Sequence, residues 1–284
     1  MRIAITSSVR LFVDVEGPGR VPEGPGLKAK PSLVLLHGGP GIDHSGFKPA
    51  FSRLADVAQV VYYDHRGHGR SDRCTPEERT LDVLADDVVR LCDALGIEKP
   101  IVLGQSFGGF VAQRYLARHP QHPAKVILSS TLPAIRLDRA IAMFDRLGGP
   151  AAAEAASAWW NTPTVDTWAM YATLCLPLYN QRPPTDPYAA KRTLFDLDIL
   201  IGFVRGECRT KDLLPGLAHV RCPVLVMAGE LDSVCSAVGA REIAAAILAP
   251  WSRLAVFDRS GHGAWRDEPE AAFAVLRDFI VNAT

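Results

Sequence analysis

The chain has 284 residues, enough for one large domain or for one domain carrying an insertion. Its 31 Lys and Arg balance 31 Asp and Glu, so no basic footprint invites a phosphate backbone, and nucleic acid is excluded as the expected partner. Hydrophobic residues at 48% and charged residues at 22% exclude disorder, a fibre or a disulfide scaffold, which leaves a small molecule or short peptide as the expected partner. Residues 2–15 hold two short apolar runs that suit a hairpin, and the Gly- and Pro-rich stretch 17–26 reads as loop. Strands are then expected at 33–38, 60–65, 100–106 and 125–130, short β-branched runs of the kind buried on both faces of a sheet. Between them, Leu81, Leu84, Val88, Leu91 and Leu95 recur at helical spacing with Asp82, Asp86, Asp87 and Arg90 off that face, and a second helix is expected over 107–118. After Thr131 the pattern changes to helix pieces broken by Pro150, Pro163, Pro177, Pro183 and Pro184. A strand at 223–232, a helix near 236–248, a strand at 254–258 and a helix from Pro269 to Val281 complete the chain.

This order predicts an α/β fold: a mostly parallel central sheet flanked by helices, built from residues 1–132 and 219–284, with an inserted helical cap at 133–218. The first residues contain Arg2, Arg10 and Asp14 and no signal-peptide core, and no apolar run is long enough to span a bilayer, so a cytoplasmic location without a membrane partner is expected. Six scattered cysteines without a paired spacing read as ordinary thiols, with no metal and no cofactor expected.

Chemistry concentrates at the ends of the expected strands. Gly104-Gln105-Ser106-Phe107-Gly108 stands between a strand and a helix, the context in which a tight turn lifts a serine hydroxyl to the sheet edge beside free helix amides. A hydroxyl needs a base, and His262, in Ser260-Gly261-His262-Gly263 after the last strand, is the best placed; His119 and His122 end a helix and are expected to meet carbonyls. Asp232, closing the strand at 223–232, fits best as the acid that orients His262, with Glu230 and Asp258 as rivals. The amides of Gly39 and Phe107 are the expected oxyanion donors. The stretch Asp64 to Ser71 reads as a polar turn rather than a metal site. Trp159 and Trp160 either line a pocket or pack the cap.

In sequence order, HGGPG (37–41), DHRGHGRSD (64–72), GQSFGG (104–109), GELD (229–232) and SGH (260–262) resemble the α/β-hydrolase fold, and the first two resemble its proline iminopeptidase branch. The resemblance implies a triad of Ser106, Asp232 and His262 and an aminopeptidase or amidase acting through an acyl-enzyme. The family's aminopeptidases hold the substrate's amino group with carboxylates, often one directly after the catalytic aspartate, where Ser233 stands here; Glu207 is the remaining candidate clamp. The elbow reads Gln-Ser-Phe, and similar elbows occur in esterases and lactonases of the fold, which are the alternative; a non-catalytic ligand-binding member of the fold is a third.

Overall fold

The computed structural model of the chain describes residues 1–282. Strands β1 (Arg2–Ala4), β2 (Arg10–Glu16), β5 (Ser32–Leu36), β6 (Gln59–Tyr63), β7 (Ile101–Gln105), β8 (Lys125–Ser129), β9 (Val224–Gly229) and β10 (Ser252–Phe257) form one sheet in the order β1-β2-β6-β5-β7-β8-β9-β10, while β3 (Arg20–Glu23) and β4 (Gly26–Ala29) pair only with each other. β1, β2 and β6 join antiparallel, and every pairing from β6 to β10 is parallel. The β3–β4 ribbon corrects the expectation of a loop at 17–26. Gly24, at φ +57°, closes the turn, and Pro22 is tolerated because its strand has a neighbour on one side only.

Strands β5 to β9 are mainly apolar because both faces are covered, whereas β10, at the sheet edge, begins with the half-buried Ser252 and the exposed Arg253. Along β5, Val34 and Leu36 enter a cluster with Leu84, Val111 and Ile243 from helices α1 (Leu81–Leu95), α2 (Phe107–Arg118) and α9 (Ala237–Ala246). Leu33 and Leu35 enter the opposite cluster, with Phe51 and with Phe273 and Phe279 of α11 (Pro269–Val281). Helix α1 is capped by the Thr80 hydroxyl, which accepts from the Val83 amide, and ends at Gly96 in the left-handed region. Asp87, expected on its solvent face, is buried and takes both arms of Arg66 at 2.7 Å.

Between β8 and β9 stand α3 (Leu137–Asn161), α4 (Val165–Leu174), α5 (Ala189–Arg192), α6 (Leu197–Arg205), α7 (Glu207–Thr210) and α8 (Leu214–Leu217). Helix α3 breaks at Gly149, φ 75°, directly before Pro150. This segment has an apolar cluster of its own, with Phe144, Trp159 and Tyr171 at its centre. The short α10 (Ala264–Asp267) follows the His262 loop. No helix among the described residues is long and apolar enough to cross a membrane.

Candidate active site

Ser106 joins β7 to α2 with φ 54° and ψ −116°, a strained conformation for a residue with a side chain. Its amide donates to the Ser129 carbonyl at 3.0 Å, and the Thr131 hydroxyl donates to its carbonyl at 2.9 Å. The flanking glycines are required by space. A Cβ on Gly104 would stand 2.3 Å from the Gly108 oxygen, and one on Gly108 would stand 2.1 Å from the Leu36 oxygen. Strand and helix can approach this closely only with both side chains absent, which is the physical content of G-x-S-x-G here.

Because Leu36 of β5 pairs with Gly104 of β7, the loop after β5 lies beside the elbow. A Cβ on Gly38 would stand 3.4 Å from that of Ser106, and Gly39, at φ 105°, follows it. Phe107 is the first residue of α2, so its N–H has no partner within the helix. Neither it nor the Gly39 amide has a protein acceptor among the described residues, and both residues line the cavity that Ser106 faces.

Three buried histidines support this loop. The His65 amide donates to His37 Nε2 at 3.1 Å, the His37 ring lies 4.3 and 5.5 Å from those of His65 and His68, and His68 stacks on Phe107 at 5.8 Å. Burial pushes His37 below the usual imidazole range, His65 well below it and His68 down to about 3, so the three pack as neutral rings. Asp64 accepts from His44 Nδ1 at 2.6 Å and from the amides of His44 and Arg70, and the stretch 64–71 forms a polar turn.

The Asp232 and His262 loops meet at the ends of β9 and β10. His262 Nδ1 stands 2.9 Å from Asp232 Oδ2 and 3.2 Å from Oδ1, and Asp232 is fully buried. Oδ1 also accepts from the amides of Val234 and Cys235 at 2.9 and 2.7 Å, which fixes the carboxylate. Of its rivals, Glu230 pairs with Arg241 at the surface and Asp258 is exposed. This partnership assigns the proton to Nδ1 and leaves Nε2 as the acceptor. His119 and His122 meet Asp86 and the Tyr115 hydroxyl instead of carbonyls.

The His262 loop is itself held by a carboxylate absent from the sequence reading. Asp267, 1% exposed, accepts from the Gly261 amide at 2.7 Å and from the amides of Gln181 and Arg182 at 2.9 and 3.0 Å. The same segment reaches His262 directly, its Tyr179 carbonyl accepting from the His262 amide at 2.6 Å and the Asn180 amide group donating to the His262 carbonyl at 3.1 Å. Cys235 was also missed. It lies three residues past Asp232, buried and on the cavity wall, and burial beside Asp232 pushes its thiol well up, so it is neutral and no rival nucleophile.

Ser106 and His262 line one cavity of about 480 Å³. Trp159 and Trp160 are on its wall, as are Phe110, Phe195, Phe203 and Trp265. Among the described residues, Asp43 is the only carboxylate lining it, and both its oxygens are engaged, by Ser45 and by Arg70 at 2.7 Å. Glu207 is elsewhere, and its expected role as an ammonium clamp is corrected. Its Oε2 accepts from the Leu81 amide at 2.7 Å, at the start of α1, and Lys211 lies 3.4 Å from Oε1. It borders a smaller cleft, separated from the first by residues that include Phe107 and Phe203.

The chain matches the α/β hydrolase fold family over residues 31–269. It is 36% identical over 126 residues to the proline iminopeptidase PfmaB of Pestalotiopsis fici, a match covering 43% of this chain and 44% of that relative, so less than half of the relative's length is spanned. Among solved structures it superposes on a proline iminopeptidase from Mycobacterium smegmatis with a TM-score of 0.76 and 22% identity, covering 99% of this chain and 97% of that one. An esterase from Exiguobacterium antarcticum gives 0.74 and 22%, with 99% of each chain covered. At that identity the two structures speak to the fold alone. With residues 31–269 matched, the chain belongs to the α/β hydrolase fold family.

Proposed function

We propose that the chain is a serine hydrolase that cleaves uncharged carboxylic esters or lactones through an acyl-enzyme on Ser106. The observation that carries the substrate class is the wall of the cavity: among the described residues its one carboxylate, Asp43, is already paired with Arg70, and eleven of the lining residues are Phe, Tyr or Trp. An ammonium placed there would lose its hydration without an anion to replace it, a cost of several kcal/mol. A neutral acyl group meets no such cost. In this reading His262 Nε2 takes the Ser106 proton as Oγ attacks the carbonyl, Asp232 stabilises the imidazolium, and the amides of Gly39 and Phe107 receive the oxyanion. The imidazolium then protonates the leaving oxygen, and water attacking the acyl-enzyme repeats the sequence. Residues 133–218 act as a cap whose Trp159 and Trp160 shape the acyl side.

The aminopeptidase reading rests on a different observation, the HGGPG loop together with the relative named as a proline iminopeptidase. It requires Asp43 to exchange Arg70 for the substrate. Assays with p-nitrophenyl butyrate, proline p-nitroanilide and N-acetylproline p-nitroanilide separate the two. Turnover of the ester and indifference to N-acetylation are expected, with loss of turnover and of fluorophosphonate labelling in Ser106→Ala; preference for the free amine would reverse the assignment.

A further inference from the structure

The loop that carries Asp232 holds a donor that ester hydrolysis does not use. The sulfur of Cys235, a carboxylate oxygen of Asp232 and a ring nitrogen of His262 all lie within 4.8 Å of one another. Around a tetrahedral zinc, with bonds of about 2.0–2.3 Å, donor atoms stand roughly 3.3–3.8 Å apart, so the three need only small rotations to share one ion. The donor set is also chemically apt. Thiolate and imidazole favour a borderline-soft dication over Mg²⁺ or Ca²⁺, and the two anionic donors cancel its charge, which suits an apolar cavity. Cys235 and His262 both line that cavity, which provides an entry path and an open fourth position.

We propose that Asp232, Cys235 and His262 form an inhibitory site for a thiophilic divalent cation, Zn²⁺ or Cd²⁺. Binding breaks the S–H bond of Cys235, sends that proton to solvent and forms the metal–sulfur bond; no electron is transferred. The imidazole contributes the lone pair of one nitrogen. If that is Nε2, the base is blocked directly; if it is Nδ1, the ring proton resides on Nε2, which can no longer accept from Ser106. Loss of turnover follows in either case. Only this consequence rests on the proposed hydrolytic role of Ser106, and metal binding is read separately.

The test is a titration of the full chain with CdCl₂, following the ultraviolet cadmium–thiolate charge-transfer band, the rate of fluorophosphonate labelling at Ser106 and p-nitrophenyl butyrate turnover. One equivalent of Cd²⁺ should give the band and suppress labelling and turnover, and EDTA should reverse all three. Cys235→Ser should weaken the band and the inhibition, each measured against that variant's own metal-free state, by at least about 10–100-fold. Cys74→Ser, at the half-buried thiol outside the cavity, should change neither. A band and inhibition that persist in Cys235→Ser, or that vanish in Cys74→Ser, overturn the site, as does wild-type protein whose labelling is indifferent to one equivalent of Cd²⁺. Binding that follows Cys235 in a protein that cleaves no ester leaves the site standing and overturns the esterase reading alone.

Discussion

Replacing Asp267 by asparagine separates the chemistry of His262 from the means of holding it in place. The carboxylate accepts three backbone N–H groups, from Gly261, Gln181 and Arg182, at 2.7, 2.9 and 3.0 Å, and the Asn180 side chain at 3.3 Å. An amide keeps one oxygen. Its NH₂ must then face either the Gly261 amide or the pair from Gln181 and Arg182, donor against donor, so at least one hydrogen bond to a charged group is lost at about 1.5–3 kcal/mol. Because Gly261 precedes His262, and residues 179–180 bond both the amide and the carbonyl of His262, the loss is transmitted to the imidazole. A displacement near 1 Å costs about 10² in rate. Asp267→Asn should therefore lower kcat for p-nitrophenyl butyrate by about a hundredfold with little change in KM, while Tm falls by about 2–4 °C per kcal/mol lost. Fluorophosphonate labelling, which needs the same serine and histidine, should slow in parallel with kcat. If the folded variant turns over at the wild-type rate while its Tm drops, Asp267 braces the loop without positioning the base, and the reasoning fails.

Three further predictions follow from the same contacts. Asp232→Asn should cut kcat by about 10⁴ and leave the chain folded, since an orienting carboxylate fixes the imidazole tautomer; a comparable loss in Asp258→Asn, with Asp232→Asn near wild type, would contradict the geometry. Glu207→Ala should cost about 0.5–2 kcal/mol in denaturant unfolding, through the unpaired amide at the start of α1, and leave kcat/KM at its wild-type value; a selective loss on free-amine substrates would return Glu207 to the site. His68 ionises near 6.5 when unfolded but only near 3 when folded, so the unfolded state binds the extra proton between those values and stability falls as pH falls through that window. The loss attributable to His68 should reach about 1.6 kcal/mol between pH 6.5 and pH 5, and a His68→Gln variant with an unchanged slope in urea unfolding across that range would exclude it.

The parts of the molecule legible in the sequence are those whose causes are local. A strand buried on both faces is mainly apolar, which is why β5 to β9 could be placed from composition, and Ser106, Asp232 and His262 stand out because each lies in the turn or loop just after a strand. The β3–β4 ribbon was hidden because it packs little and its residues are exposed, so glycine and proline carried the only signal and argued for loop. The histidines after α2 were placed at the helix end, but their partners, Asp86 and Tyr115, were set by how α2 packs on α1 and on itself.

The errors at the site share one physical origin. Whether Glu207 faces a substrate or a helix end is decided by the approach of Leu81, 126 residues away in the chain, and no local pattern encodes that distance. Asp267 and Cys235 lie within five and three residues of the catalytic candidates, yet one is defined by residues 180–182, between β8 and β9, and the other by the loop geometry that brings its thiol near His262. Strand ends fix the reacting groups, whereas the wall that selects a substrate is assembled from the loop after β5, the elbow and helices between β8 and β9. In the proposed reading, a change on that wall can alter the substrate without touching Ser106, Asp232 or His262. An iminopeptidase and an esterase share this fold at nearly equal similarity, and the engagement of both Asp43 oxygens, by Ser45 and by Arg70, bears on substrate charge more directly than any motif in the chain.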